Sequence, residues 1–563
     1  SKKIKNILIN NYFKLRNLEN RIQMLENNQN HSMPKNKEIY NKLILFCGFS
    51  KIKKFEIDYI DILRSTRSIF KDLFKDDKPL NIEGDMVFTG VEPEDITIQS
   101  LNKLNFDNTH QVWKLISSWH YGRYRIMQSE KSRQLLTILI PNLLVSIGKT
   151  PYPNETLYRF DNFLKNLSYG VHVLSLLKEN NIILLDFLSI LGLSPKLGQY
   201  MSANVNLIES FLQKNFFNVD KLENYIVEQL ESIKNSEEVY EKKVIKFSSL
   251  VNEIKFQIGV NYLLEKTDRI RCQELLTYLA VTSLKVAIDI VFHEYKFHET
   301  ELLNYDFGII GFGGIAKKSL NYESDLDLVY VFNIKNNKNY DPNKIGLLFD
   351  NFVKRLELFL SYKAINSSVY EIDTRLRPYG VSGAKVINLD IMKDYYNNKA
   401  WNWEKLALAG AQLVVGSPQL GKIVENIKNQ CLKKINLLVL IKEVNEMREK
   451  LTNTNTPINF LDLKHRKGGV RDITFIYQLL VLFNKNNINK TIREENFFSE
   501  IIEIRFLSSI LFDPKSLTNM KIEQFEKYFL KRINKQKLLK NEISNFLKKN
   551  NLIYCKLFNE LKI

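Results

Sequence analysis

The chain has 563 residues, with 81 Lys or Arg against 63 Asp or Glu and a formal net charge of +18. At 44% hydrophobic and 26% charged residues its composition is that of a globular protein, and its length requires several cores. No unbroken run of 18 apolar residues occurs, so no membrane span is expected. Cys47, Cys272, Cys431 and Cys555 form no CxxC pair, which argues against a disulfide framework and for a reducing cytoplasm.

The start, Ser1-Lys2-Lys3-Ile4, is basic but no long apolar stretch follows it, so no signal peptide is expected. The positive charge is spread along Lys-, Asn- and Ile-rich sequence and forms no stripe. A nucleic-acid partner is therefore not expected.

Most of the chain reads as helix. Residues 130–148 carry apolar residues at mixed spacings of three and four, with Pro141 as an expected kink. Residues 272–295, 345–364, 436–452 and 499–512 continue the pattern. Asn- and Lys-rich stretches at 27–37, 333–344 and 484–490 read as surface loops. Three segments differ. Residues 307–311 are short, apolar and end in glycine, while 326–332 and 368–374 alternate and favour strands. The expected class is α+β: mostly helical, with one small mixed sheet followed by a helical bundle.

The chemistry gathers on these strands. Asp325 and Asp327, two apart in a strand candidate, share a face. Asp373 sits on another strand, followed by Arg375 and Arg377. Three carboxylates at adjacent strand edges can hold two divalent cations for in-line phosphoryl displacement, and their oxygens suit Mg²⁺ or Mn²⁺. Gly311, Gly313 and Gly314 form a turn whose backbone N–H groups can cradle phosphates. Ser324 has two readings, a phosphate contact or a turn cap. Arg377 also has two, phosphate binding or a strand-end turn with Pro378. His293 and His298 are spaced HExxxH, which does not place both on one helix face, and the GFGG stretch lacks a Walker lysine.

Four stretches together resemble a known family. Residues 311–332 (GFGGIAKKSLNYESDLDLVYVF), 370–383 (YEIDTRLRPYGVSG), 394–408 (DYYNNKAWNWEKLAL) and 461–478 (LDLKHRKGGVRDITFIYQ) follow, in order, the signature elements of glutamine synthetase adenylyltransferases. Residues 117–144 and 159–180 resemble the helical linker between that family's two catalytic halves, and 15–34 the last helices of its first half. The resemblance implies a polymerase-beta-like nucleotidyltransferase domain that moves AMP from ATP to a tyrosine of glutamine synthetase. It implies Mg²⁺ or Mn²⁺ on Asp325, Asp327 and Asp373, and a PII-type signalling protein as a second partner. The implied division is 1–78, the end of a first half whose catalytic core is absent; 79–265, a linker; 266–430, the nucleotidyltransferase domain; and 431–563, a helical bundle.

The sequence departs from the family pattern in places. Gly314-Ile315-Ala316-Lys317 replaces Lys-Leu-Gly-Gly, and Ser319 replaces a glutamate. Gly410 and Gln412 replace a basic pair, and Thr474 another glutamate. Two readings follow: a working transferase with a shifted glycine turn, or a catalytically impaired regulatory or scaffold remnant.

Overall fold

The computed structural model describes residues 2–26, 32–34, 36–73, 86–88, 92–120, 124–167, 170–204, 207–212, 216–295, 305–334, 342–364, 367–454, 461–464, 466–483, 497–511 and 539–560. They form two compact units, Ser1–Gly192 and Leu193–Ile563.

In the first unit every regular element among the described residues is helical. Helix Lys2–Glu26 packs against Lys37–Phe46 and Ile52–Leu73, where Tyr40, Ile44 and Phe55 make a small core. Asn11 Nδ2 donates to Ser65 Oγ at 2.8 Å across this bundle. Tyr12, Phe13, Met24, Leu45 and Ile57 in the same helices face solvent. A second core forms where helices Glu130–Gly148, Pro153–Asn166 and Asn181–Leu193 bury Leu143, Phe160, Phe163 and Phe187. Pro141 lies inside the first of these, so the expected helix over 130–148 runs through it. Asp161 accepts hydrogen bonds from Trp119 Nε1 at 2.7 Å and Tyr124 Oη at 2.8 Å, which satisfies a carboxylate inside the core.

The second unit holds the sheet. Its strands are β1 (Tyr305–Gly311), β2 (Leu326–Ile334), β3 (Lys363–Ala364), β4 (Ser367–Ser368), β5 (Ile372–Asp373), β6 (Val386–Asn388) and β7 (Gln412–Val415). Along the main sheet the order is β5-β2-β1-β7, and β6 also pairs with β2. β1 runs antiparallel to β2 and β7, whereas β5 and β6 run parallel to β2. The sheet is therefore mixed, as expected. β3 and β4 form a separate two-strand ladder.

Three sequence expectations need correction. The strand over 368–374 is two short pieces, β4 and β5. The helix over 345–364 stops at Leu360, because the Leu360 carbonyl accepts the Tyr370 N–H at 3.1 Å and the chain turns into β3. Asp325 immediately precedes β2 rather than lying in it. Of the expected loops, 27–37 is described at 32–34 and 36–37, 333–344 at 333–334 and 342–344, and 484–490 lies outside the described residues.

One face of the sheet packs Ile310, Val329 and Val331 on Met392, Tyr396, Leu420 and Val424. Helix Pro342–Leu360 covers aromatic residues of β1 and β2, with Phe307 and Phe332 stacked near Phe349. Arg269–Glu294 is the one described helix long and apolar enough to cross a membrane. Most of it is buried, packed on Leu222–Asn235, Tyr240–Leu263 and Pro342–Leu360 as a core element.

Candidate active site

The parallel pairing of β2 and β5 sets Asp327 opposite Asp373, while Asp325 lies one residue outside the strand. β1 delivers the chain into the glycine turn, and the Phe312 N–H donates to the Asp327 carbonyl at 2.9 Å. Gly313 has φ +57°, and a Cβ there would stand 2.6 Å from Asp327 Oδ2. A side chain at 313 would thus be strained and would also press on the carboxylate. Gly311 has a different reason to be glycine: a Cβ would meet Ile315 and Val414 at 2.8 Å. It is a packing position. Gly314, in the short helix Gly313–Ala316, lies over Leu320.

The carboxylates influence one another. Burial pushes Asp327 up to about 6, and the charges of Asp373 and Asp325 add to the rise while Lys464 and Arg375 oppose it. Asp325 is also raised, by burial first and then by Glu371 and Asp373. Asp373 is held below the ordinary carboxylate value, chiefly by hydrogen bonds from Arg375. Arg375 Nε lies 3.0 and 2.9 Å from the two Asp373 oxygens, Nη2 lies 2.5 Å from Oδ2, and the Arg375 N–H donates at 2.9 Å.

Among the described residues no three acidic, histidine or cysteine side chains are gathered closely enough to hold a metal ion as they stand. The donor set nevertheless fits a divalent cation. It consists of oxygen ligands, and two of the three carboxylates carry a repulsion that a cation would relieve. Arg375 supplies positive charge to the third.

The remaining expected residues have defined places. The Ser324 hydroxyl accepts the Asn321 N–H at 3.0 Å, so it closes the turn before β2. Buried Arg377 donates to the carbonyls of Thr374, Val381 and Gly383 at 2.9–3.1 Å and to Thr374 Oγ1 at 2.8 Å. Its guanidinium braces the loop after β5. His293 sits in the last turn of Arg269–Glu294, and His298 lies outside the described residues.

Sequence reasoning gave no role to Lys464. Its positive charge acts on Asp325, Asp327 and Asp373 alike. Part of the residue remains in solvent, yet burial of the amine and the nearby Arg505 lower it below the ordinary lysine value. The loop carrying it is fixed from below. Gly468, at φ +79°, packs against the Leu547 carbonyl so closely that a Cβ would lie 2.0 Å away. The Gly468 N–H donates to Asp472 at 2.6 Å, and its carbonyl accepts from Asn550 at 3.0 Å. Asp472 is itself paired inside the protein with Arg448, at 2.9 and 2.6 Å. The signal for it in the sequence is the LDLKHRKGG stretch, where Lys464 stands four residues before the pair Gly468-Gly469.

Carboxylates on and beside paired strands, with a glycine turn against one and a lysine charge acting on all three, are the kinds of group that phosphate esters and divalent cations take as partners. Residues 184–427 match the family model described as glutamate-ammonia ligase adenylyltransferase. Curated relatives include the bifunctional glutamine synthetase adenylyltransferase/adenylyl-removing enzymes of Rhizobium meliloti (strain 1021) and Bartonella quintana (strain Toulouse). The first is 29% identical over 484 residues, covering 84% of this chain and 49% of that protein. The second is 28% identical over 491 residues, covering 86% of this chain and 50% of that protein. The corresponding enzyme of Agrobacterium fabrum (strain C58 / ATCC 33970) is 28% identical over 480 residues, covering 84% and 48%. The chain thus spans about half the length of the curated relatives it matches.

Proposed function

We propose that this chain transfers AMP from ATP to a tyrosine hydroxyl of glutamine synthetase, with Asp325, Asp327 and Asp373 as its essential carboxylates. The observation that carries this reading is the β2–β5 pairing, which sets Asp327 opposite Asp373 beside the Gly313 turn. In this reading the phenol oxygen forms a bond to the α-phosphorus, the bond to pyrophosphate breaks, and the phenol proton passes to solvent or to a carboxylate. Asp325, Asp327 and Asp373 would hold Mg²⁺ or Mn²⁺, which supplies Lewis acidity toward the phosphates and the phenol. The Gly313 and Gly314 backbone would receive phosphate oxygens, Lys464 and Arg375 would add positive charge there, and Ser324 and Arg377 would keep the flanking turns in shape.

The altered glycine stretch fits an active site. Lys317 Cε comes within 3.6 Å of where a Gly410 side chain would begin. Position 410 is one of two at which the resembled family carries a basic residue, so Lys317 brings positive charge back to that place. Glutamine synthetase is the acceptor, and a PII-type protein is the second partner, in a reducing cytoplasm that suits four free cysteines. The four-part division at 78, 265 and 430 belongs to the same reading.

The test is incubation of the chain with labelled ATP, Mg²⁺ or Mn²⁺, and glutamine synthetase. Label should enter the synthetase, and Asp325→Asn or Asp327→Asn should lower the rate about a thousandfold, as expected for several kcal/mol of lost charge stabilisation. Label transfer that survives both changes refutes the assignment.

A further inference from the structure

β5 is two residues long and has two register pairs with β2. So short a ladder does not fix the position of Asp373 without help from outside the sheet. That help comes from helix Tyr240–Leu263. Lys255 on this helix buries its amine and donates it to the Val369 carbonyl. The same amine lies 3.9 Å from the centroid of the Tyr370 ring, which is itself buried. Val369 and Tyr370 lead directly into Glu371, whose carbonyl accepts the Leu326 N–H at 2.8 Å, and then into Ile372 and Asp373.

A second lysine holds the other carboxylate segment. Lys196, on helix Pro195–Ala203, pairs with Glu323 and lies 4.8 Å from the Tyr322 ring centroid. Glu323 is two residues before Asp325. Lys196 also donates to the Ser509 carbonyl at 3.3 Å. Lys255, Lys196 and Glu323 act on one another: burial and Lys196 lower the Lys255 ammonium to about 7, and Glu323 partly opposes them. Two helices outside the sheet thus grip the two chain segments that carry the carboxylates, each through one lysine.

We infer that Lys255 is a positioning residue: through Val369 and Tyr370 it sets where Asp373 stands relative to Asp325 and Asp327. The catalytic consequence rests on the proposed AMP transfer; the positioning itself does not. An amine suits the place because, charged or neutral, it keeps an N–H to give the Val369 carbonyl. A side chain of similar length with no N–H would fill the space and leave the Val369 carbonyl without its donor.

The experiment uses the full chain with Lys255→Met, Lys255→Arg and Tyr370→Leu. Hydrogen exchange is followed on peptides spanning 367–376, with those from helix Arg269–Glu294 as the internal reference. In Lys255→Met the 367–376 amides should exchange about tenfold faster while the reference helix is unchanged. Lys255→Arg should keep most of the protection, and Tyr370→Leu should lose part of it. If Lys255→Met does not fold, Tyr370→Leu still reads the same contact from the other side. In the transfer assay Lys255→Met should lower kcat by up to about a hundredfold with KM for ATP near the parent value. Lys255→Arg should restore part of that loss. Unchanged exchange in both Lys255→Met and Tyr370→Leu overturns the inference. So does an arginine variant as loose as the methionine one, or a loosened segment with unchanged kcat. A parent chain that transfers no AMP, yet shows the exchange pattern, leaves the positioning intact and defeats the proposed reaction instead.

Discussion

Replacing Asp327 by Asn should stabilise the metal-free protein at pH 7.5 while removing its chemistry. The Asp327 carboxyl stands at about 6 against an ordinary 3.8, first through burial and then through Asp373 and Asp325. Between those two pH values the folded chain holds a proton that the unfolded chain has released. Stability therefore falls as pH rises through this window, and the full cost is present above about pH 6. A gap of this size corresponds to about 3 kcal/mol at full weight, and solvent screening on the open side of the site leaves about 1–2 kcal/mol. The amide avoids that cost. Thermal unfolding in chelator should show the Asn variant melting higher at pH 7.5 by a few degrees, since about 1 kcal/mol moves a domain of a few hundred residues by about 2–4 °C. The advantage should shrink toward zero as pH falls below about 4, where both carboxyl states are protonated. Adding Mn²⁺ should reverse the order, because a cation that binds only the folded parent stabilises it by mass action. An Asn variant that melts at or below the parent in chelator at pH 7.5 would refute the account of repelling, half-buried carboxylates.

Gly313→Ala should lower AMP transfer at least about tenfold, because the new methyl group meets Asp327 Oδ2 at 2.6 Å from a backbone at φ +57°. Wild-type rates in that variant would show that the turn does not touch the working site. Arg448→Met should cost about 3–5 kcal/mol, since it leaves the Asp472 carboxylate buried without its ion pair. Limited proteolysis should then open the loop at 461–469 first, and a uniform loss of stability across the second unit would count against this order.

Much of the central sheet is legible in the sequence because β1 and β2 carry local signals. Residues 307–311 form an apolar run ending in glycine, and 326–332 alternate around Asp327, with Asp325 just before them. The register that sets Asp327 opposite Asp373 is not local. β5 contributes two residues, and β6 and β7 three and four, too few for a period to emerge. The overextended helix at 345–364 has the same origin. Its stop at Leu360 depends on a hydrogen bond from Tyr370, ten residues away. Charged side chains show the limit most clearly. Arg375 and Arg377 look equivalent in a string of letters, yet one grips Asp373 in solvent and the other is buried on carbonyls of its own loop. Lys464 becomes a neighbour of the three carboxylates only once the bundle has folded against the sheet.

The contact between Gly468 and the Leu547 carbonyl ties the site to the order in which the chain is made. The carboxylates leave the ribosome with residues 325–373, but the loop that brings Lys464 to them is pinned by Leu547 and Asn550. Those residues emerge about 170 positions after Asp373, roughly 10–35 s later at ordinary elongation rates. Throughout that interval the sheet can form while three acidic groups lack their facing lysine. A nascent chain would therefore hold a folded sheet whose carboxylates still lack that lysine until helix Leu539–Glu560 docks, so that the site's charge balance is set by a segment made long after the strands that carry it.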